Sequence, residues 1–318
     1  MPWPRALRSK ESFVNITLHH CRDAAEQALR LDGWQQEISQ IEAGHFSGEI
    51  VDVASHSVRL FRESANLSLF QRMHFPESQW HLVTPIRWPS ASLFGIDTVT
   101  LLPRCDQFWS VVPSNYDLLV VSIDRSRHEW LGRDEYRLRR LEVSPGLLHQ
   151  VRGQWQWMTD YLSQRPAHEP IPPALQQSLI RQLEESIDML LGSDVPTIEP
   201  DANNYRTRRY IVERCQALIQ SRPEDPPSLM ALCDQLKISR RTLQYSFQAE
   251  VGQSPVAYLR ALRLNAVRRS LLQDPAQYLA DAAAAQGFFH QSYFCREYRR
   301  LFQESPSATR ARLLESPS

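Results

Sequence analysis

Arg240, Arg241, Gln244 and Tyr245 crowd one short stretch of this chain, and His290, Gln291, Ser292 and Arg296 crowd a second stretch farther on. Arginine carries a planar fork that can bond O6 and N7 of guanine, and glutamine can bond N6 and N7 of adenine. Histidine, serine and tyrosine add shorter donors and acceptors. On a helix, residues three and four apart share a face, so each stretch would present one polar edge. Such an edge can read bases in a major groove, and a solvated polar helix face is the plain alternative.

The two stretches sit inside a repeat with an offset of 51 residues. Leu243 falls on Phe294, Phe247 on Tyr298, Val251 on Phe302, and Ser254-Pro255 on Ser305-Pro306. Upstream, Ala231 falls on Ala282 and Gln235 on Gln286. A fixed offset marks a duplicated supersecondary unit. Each copy reads as a short Ala/Leu helix, a tight turn, and an Arg/aromatic helix closed by Ser-Pro, which is the layout of a helix-turn-helix. In the first copy, Leu229–Leu236 is the positioning helix, Ser239 is the expected N-cap of the next, and Leu243 and Phe247 face inward. In the second, Gly287 permits a left-handed turn, and Phe288, Tyr293, Phe294, Tyr298 and Phe302 read as core. Between the copies, Pro255–Leu272 reads as a long helix that buries Val256, Leu259, Leu262, Val267 and Leu271. Its 18 residues span ~27 Å, close to the ~34 Å of one duplex turn. Its arginines (Arg260, Arg263, Arg268, Arg269) are expected on the outside, against phosphates or water.

The charge distribution agrees. The chain has 318 residues and a formal net charge of zero, but residues 203–318 hold 17 Lys+Arg against 10 Asp+Glu, and residues 1–202 hold 19 against 26. One half is therefore suited to a polyanion and the other is not. Only two of the 36 basic residues are lysine. The five cysteines (Cys21, Cys105, Cys215, Cys233, Cys295) form no CxxC pair and read as reduced thiols. No apolar run is long enough to span a membrane and the first residues lack a signal-peptide core, so a cytoplasmic location with no membrane partner is expected.

The N-terminal half has a different period. A helix is predicted near Arg22–Leu31. From Gly48 to Asp124, short alternating runs (Glu49–Val53, Ser57–Arg62, Leu67–Gln71, Trp80–Val83, Phe108–Val112, Asp117–Ile123) predict an antiparallel sandwich or barrel. Helices follow at Gly146–Gln164 and Pro172–Leu191. The second carries one stripe, Leu175, Leu179, Leu183, Ile187 and Leu190, which must pack on its own chain or on a second copy. His45, His56, His74 and His81 form no His-x-His pair, and His19-His20-Cys21 is placed before the sheet, so no metal site is assigned. No phosphate loop or nucleophile elbow occurs, and no catalytic residue is assigned.

The run Gly287-Phe288-x3-Ser292-Tyr293-Phe294-x-Arg296-x-Tyr298-Arg299-x2-Phe302-x2-Ser305-Pro306 resembles the signature of the AraC/XylS family of bacterial transcription regulators, over about residues 205–314. The resemblance implies seven helices with two helix-turn-helix motifs on a long connecting helix. It also implies reading through Arg241, Gln244 and Tyr245 in the first head and His290, Gln291 and Arg296 in the second. The sequence departs from the family pattern at Gln303, usually Gly, at Tyr298, usually Phe, and at Tyr245, often Arg. Two stretches, Trp34–Glu63 and Ser239–Gln244 with Arg263–Arg269, are most similar to the ethanolamine-utilisation regulators. Those respond to ethanolamine with cobalamin. That ligand is not carried over, since ligand identity resides in side chains that diverge on a shared scaffold.

The expectation is thus an α+β, two-domain chain. Residues 1–191 form an antiparallel β-sandwich or cupin-like barrel with helices, for sensing or dimerisation. Residues 192–204 are a linker and 205–314 an all-α DNA-binding domain. The expected function is an effector-responsive activator of a metabolic operon, not an enzyme, reading double-stranded DNA through Arg240, Arg241, Gln244, Tyr245, His290, Gln291, Ser292 and Arg296. The expected partners are RNA polymerase and a second copy of the chain. No cofactor is assigned, and a small-molecule effector is left open. The alternative is a ligand-free regulator whose N-terminal half is a dimerisation or protein-interaction module.

Overall fold

The computed structural model describes residues 14–89, 94–132, 136–166, 169, 171–192, 197–198 and 203–315. The N-terminal half comprises strands β1 (Asn15–Cys21), β2 (Gln35–Gln40), β3 (Gly48–Ala54), β4 (Val58–Ala65), β5 (Leu69–His74), β6 (Gln79–Arg87), β7 (Val99–Leu101), β8 (Phe108–Val112), β9 (Tyr116–Asp124), β10 (Arg139–Leu141) and β11 (Thr197–Ile198). Its helices are α1 (Ala24–Gln27), α2 (Pro145–Ser163) and α3 (Pro173–Leu191). The C-terminal half is helical: α4 (Asn203–Gln220), α5 (Leu229–Leu236), α6 (Arg240–Val251), α7 (Pro255–Gln273), α8 (Leu279–Ala284), α9 (Gln291–Phe302) and α10 (Pro306–Glu315). Most of the expected linker, 192–204, lies outside the described residues; within it, Thr197–Ile198 pairs with β10.

Two antiparallel sheets build the N-terminal half. One has eight strands in the order β1-β3-β4-β9-β6-β7-β10-β11, and the other three, β2-β5-β8. Side chains alternate between faces along each strand. Val51, Leu60, Leu82, Leu119 and Val121 of the large sheet face α2 and α3, whereas Ile50, Phe61, Val83, Leu118 and Val120 face the small sheet. His19-His20-Cys21 lies within the large sheet, as the end of β1 paired with β3, and not ahead of it. The helix expected over Arg22–Leu31 is one turn, capped by the Asp23 carboxylate accepting from the Ala25 N–H at 2.9 Å.

The stripe on α3 is buried within its own chain. Leu179, Leu183, Ile187 and Leu190 are each 1–2% exposed, packed with Leu148, Val151, Trp155 and Met158 of α2 against the large sheet. The apolar face is satisfied by sheet and neighbouring helix, so it is not available to a second copy.

The small sheet is a wall shared by the two halves. Gln36, Gln71, Met73, Phe108 and Ser110 line a cavity of about 30 Å³ inside the barrel. The alternate residues Phe70 and Trp109 join the core of the C-terminal half, together with Ile41. Phe70 meets Tyr258 of α7 edge to face at 5.9 Å, and Arg209 of α4 stacks on Trp109, 3.7 Å from the ring centre.

Candidate nucleic-acid interface

Residues 229–303 contain two helix pairs, α5–α6 and α8–α9, joined by α7. The turn between α5 and α6 uses Lys237 in a left-handed conformation, and Ser239 caps α6 by accepting from the Thr242 N–H at 3.0 Å. The turn between α8 and α9 contains Gly287 at φ +72. A Cβ there would come within 2.8 Å of the Arg263 guanidinium and 2.9 Å of the Glu224 carbonyl, so both conformation and space require glycine. His290 stands at the N-cap of α9 without a side-chain hydrogen bond to the helix. The first N–H groups of α9 are thus uncapped by that side chain, which makes this terminus attractive to a phosphate.

Leu243 and Phe247 of α6 and Phe294 and Tyr298 of α9 are fully buried, as their spacing predicts. That fixes the opposite faces. Arg240, Arg241, Gln244, Tyr245, His290, Gln291, Ser292 and Arg296 are all exposed. Tyr245 is 62% exposed, and Arg208 of α4, ion-paired with Glu250 at 2.8 Å, approaches its ring at 6.0 Å. Arg296 lies 5.2 Å from the Tyr293 ring and bonds Glu297 at 3.3 Å. Tyr293, expected in the core, is 37% exposed, and its neighbour Phe289 is 70% exposed at the start of α9. Sequence reasoning passed over Phe289; an apolar ring two residues before the first helical residue was its one signal.

The arginines of α7 do not face outward. Arg268 is buried, bonded to Asp23 at 2.6 Å and to Glu304 at 2.6 Å, and lies over the Phe302 ring at 4.4 Å. Arg269 pairs with Glu37 at 2.7 Å and bonds Ser39 at 3.0 Å. Arg263 donates to the Gln286 carbonyl at 2.7 Å and stacks on Phe288 at 4.4 Å, and Arg260 pairs with Glu297 at 3.1 Å. The positive charge of α7 is therefore spent inside the molecule. Conversely, Val256, expected on the buried side, is 51% exposed, because the first turn of α7 buries Pro255 and Tyr258 and turns Val256 to the opposite face.

The N-terminal half bonds to several parts of this unit. Asn265 of α7 makes two bonds to the Gln40 backbone, accepting from its N–H at 2.9 Å and donating to its carbonyl at 2.8 Å. Gln253, just after α6, donates to the Ile41 carbonyl at 2.7 Å. The Leu301 carbonyl, near the end of α9, accepts from the Gly44 N–H at 2.9 Å and the Gln40 side chain at 3.0 Å.

The barrel cavity has its own chemistry. Trp34, Phe61, Phe94 and Phe108 supply apolar walls, and Glu63 lies between them. The Glu63 carboxylate accepts from Gln27 and Gln71, each at 2.8 Å, and burial pushes its pKa up despite those bonds. The Gln36 side-chain oxygen is buried with no partner. Among the described residues, no three His, Cys, Asp or Glu side chains converge as a metal site, and no helix is long and apolar enough to cross a membrane. Burial pushes the Cys21 thiol up to about 11 and Cys215 up to about 12, so neither is a thiolate at neutral pH.

Comparison with known proteins agrees on the helical half. A family profile described as a helix-turn-helix domain matches residues 232–312. The HTH-type transcriptional activator RhaR of Pectobacterium carotovorum subsp. carotovorum is 26% identical over 212 residues, covering 67% of this chain and 60% of that one. The chain thus spans about three fifths of the length of that relative. The HTH-type transcriptional regulator CdhR of Pseudomonas aeruginosa is 34% identical over 96 residues, 30% of this chain and 28% of that one. Among solved structures, a transcriptional regulator with an AraC-type DNA-binding domain from Chromobacterium violaceum is 27% identical, covers 35% of this chain and 99% of that chain, and superposes with a TM-score of 0.32.

Proposed function

We infer, from the helix-turn-helix profile and the transcription regulators this chain is similar to, that it is an AraC/XylS-family transcription regulator and not an enzyme, and that it activates a metabolic operon in response to a small-molecule effector. The observation that carries the DNA-reading part is the orientation of α6 and α9. Both bury an aromatic or leucine stripe and turn Arg, Gln, His and Ser side chains outward from one connecting helix. In this reading α5–α6 and α8–α9 are two helix-turn-helix motifs. Arg240, Arg241, Gln244 and Tyr245 enter one major groove, and His290, Gln291, Ser292 and Arg296 enter the next. The 19 residues of α7 span about 28 Å, near the separation of grooves one turn apart.

The sensing part rests on the barrel cavity, which we read as the effector site of a cupin-like domain. Its walls are aromatic and its polar groups few, the composition of a small-ligand site; at about 30 Å³ it has room for about one water, so an effector enters only if its walls move apart. The ligand-free alternative leaves the same half as an interaction module. A thermal-shift screen of small metabolites separates them, because a ligand bound only by the folded chain raises the melting temperature. Location in the cytoplasm, contact with RNA polymerase and assembly as a homodimer belong to the same reading. With the α3 stripe buried, a dimer needs another surface, and the exposed Trp157, stacked on Tyr161 of α2 at 5.6 Å, is one candidate.

The test is binding of the full-length chain to DNA selected from a random library, followed across salt concentrations. Each neutralised phosphate contributes about −0.9 to the slope of log affinity against log salt. A steep negative slope with enrichment of two short half-sites about one turn apart is expected. A slope near zero, or no enriched sequence, refutes the reading.

A further inference from the structure

The five residues Gln40–Gly44, the loop that leaves β2, touch the C-terminal ends of both candidate reading helices. On one side, Gln253 donates to the Ile41 carbonyl at 2.7 Å, two residues after α6 ends. On the other, the Leu301 carbonyl of α9 accepts from Gly44 and from the Gln40 side chain. That carbonyl is one of the last four of its helix and has no partner within the helix. A segment of the N-terminal half therefore satisfies it. Between the two ends, Asn265 anchors the Gln40 backbone to the middle of α7 by a reciprocal pair of bonds. The Gln40 side chain ties the loop to itself, donating to the Glu42 carbonyl at 2.8 Å and the Gly44 carbonyl at 2.9 Å. Ile41 is 4% exposed and belongs to the same hydrophobic core as Val251, Leu264 and Leu301.

Arg260 of α7 reaches Glu297 and Tyr293 of α9 at 3.1 and 3.3 Å, so α7 and this loop both link α6 to α9. A single helix is free to bend gently along its length. A loop fixed at three points, to α7 and to the ends of both helices, removes that freedom.

We propose that Gln40–Gly44 is a bracket that sets the distance and angle between the two DNA-reading helices, so that the N-terminal half determines which half-site spacing the protein accepts. Gln40, Gln253 and Asn265 are its positioning residues; they act through α6, α7 and α9 and touch no base. The inference rests on the reading of α6 and α9 as DNA-reading helices. It also gives the shared wall a consequence. Gln36 lines the cavity, and Gln40, at the other end of the same strand, holds the bracket, so a change in the cavity reaches the spacing of the heads through one strand.

The experiment uses full-length chain and its best selected site, with variants of that site in which one base pair is added or removed between the half-sites. Adding a base pair shifts one head by about 3.4 Å and should cost the native protein about tenfold or more in affinity. Asn265→Ala and, separately, Gln253→Ala should flatten this discrimination to within about threefold, while affinity for the best site changes little. Gln253 is half-buried, so its variant keeps the test open where Asn265→Ala fails to fold. Unchanged spacing discrimination in the folded variants overturns the bracket. So does a uniform loss at every spacing, which would make these residues general supports. If the native protein binds no DNA, the functional reading itself fails, and that outcome is distinct from both.

Discussion

Asp23 and Arg268 form the ion pair on which the union of the two halves can be tested. The Asp23 side chain is 1% exposed and Arg268 8%, and the Nε–Oδ2 distance is 2.6 Å. Removing one partner of a buried pair typically costs 3–5 kcal/mol, because the other charge stays buried without compensation. Here Arg268 would keep Glu304, at 2.6 Å and 22% exposed, and the Tyr298 hydroxyl at 3.1 Å. The residual partners put the loss for Asp23→Asn at about 2–3 kcal/mol. Asparagine still offers an oxygen to the Ala25 N–H and so preserves the cap of α1; Asp23→Ala, which does not, should lose about 1 kcal/mol more. All eight tryptophans lie in the N-terminal half, and Trp109 stands at the junction against Arg209. Urea unfolding followed by tryptophan emission and by far-ultraviolet dichroism therefore reports the halves differently. We expect Asp23→Asn to separate transitions that coincide in the native chain. Adding Arg268→Met should recover part of the loss, since an apolar side chain leaves no stranded charge. A change within 0.5 kcal/mol for Asp23→Asn, roughly the scatter of ordinary surface substitutions, would refute the argument that this pair joins the halves.

Three further outcomes are expected. Arg241→Ala and Gln291→Ala should each cost ~1–3 kcal/mol on the selected site and relax preference at different base pairs, about one turn apart; equal weakening on all sequences in a binding assay would show that neither reads a base. Leu183→Glu should unfold the N-terminal half, not yield a folded monomer, because Leu183 is 1% exposed inside its own chain; a native dichroism spectrum would overturn this. His81 is buried, its Nε2–H donating to the Pro76 carbonyl at 3.1 Å and its Nδ1 accepting from Ser122 at 2.9 Å, and burial lowers its pKa to about 4. Since the folded value lies below the unfolded one, near 6.5, its contribution to stability is complete above pH 6.5 and is lost as pH falls towards 4, roughly 3 kcal/mol in all. A resonance assigned to the His81 imidazole, by its absence from a His81→Gln spectrum, that titrates near pH 6.5 in the folded protein would contradict it.

The C-terminal helices were legible because their signals are local. Ser239, Gly287 and the i,i+4 pair Leu243/Phe247 act within a few residues, and α5 begins and ends at Leu229 and Leu236 as read from sequence. Strand β2 was not legible, because Gln35, Gln36, Glu37, Ser39 and Gln40 look like a polar loop. They are polar since one face of β2 meets Arg269 and Asn265 and the other meets the cavity. The arginines of α7 misled for the matching reason. A sequence displays a charge but not its partner, and Asp23 and Glu37 lie more than two hundred residues away. The α3 stripe announced that an apolar face must be covered; only the tertiary structure says that α2 and the large sheet cover it.

The hydrophobic cluster that runs without interruption from Ile41, Phe70 and Trp109 into Val212, Phe247 and Tyr258 bears on how such proteins can be recombined. Where two modules meet through a thin polar seam, one can be transplanted and the other left behind. Here the helical half has given part of its interior to its neighbour. A chimera that joins residues 203–318 to a foreign sensor would expose the apolar ground beneath Phe70 and Trp109, leave Arg268 without Asp23, and open the end of α9. Grafts are expected to succeed when α1 with Asp23 and the strip comprising β2, β5 and β8 travel with the helices, which places the practical crossover point inside the barrel and not in the connection after α3.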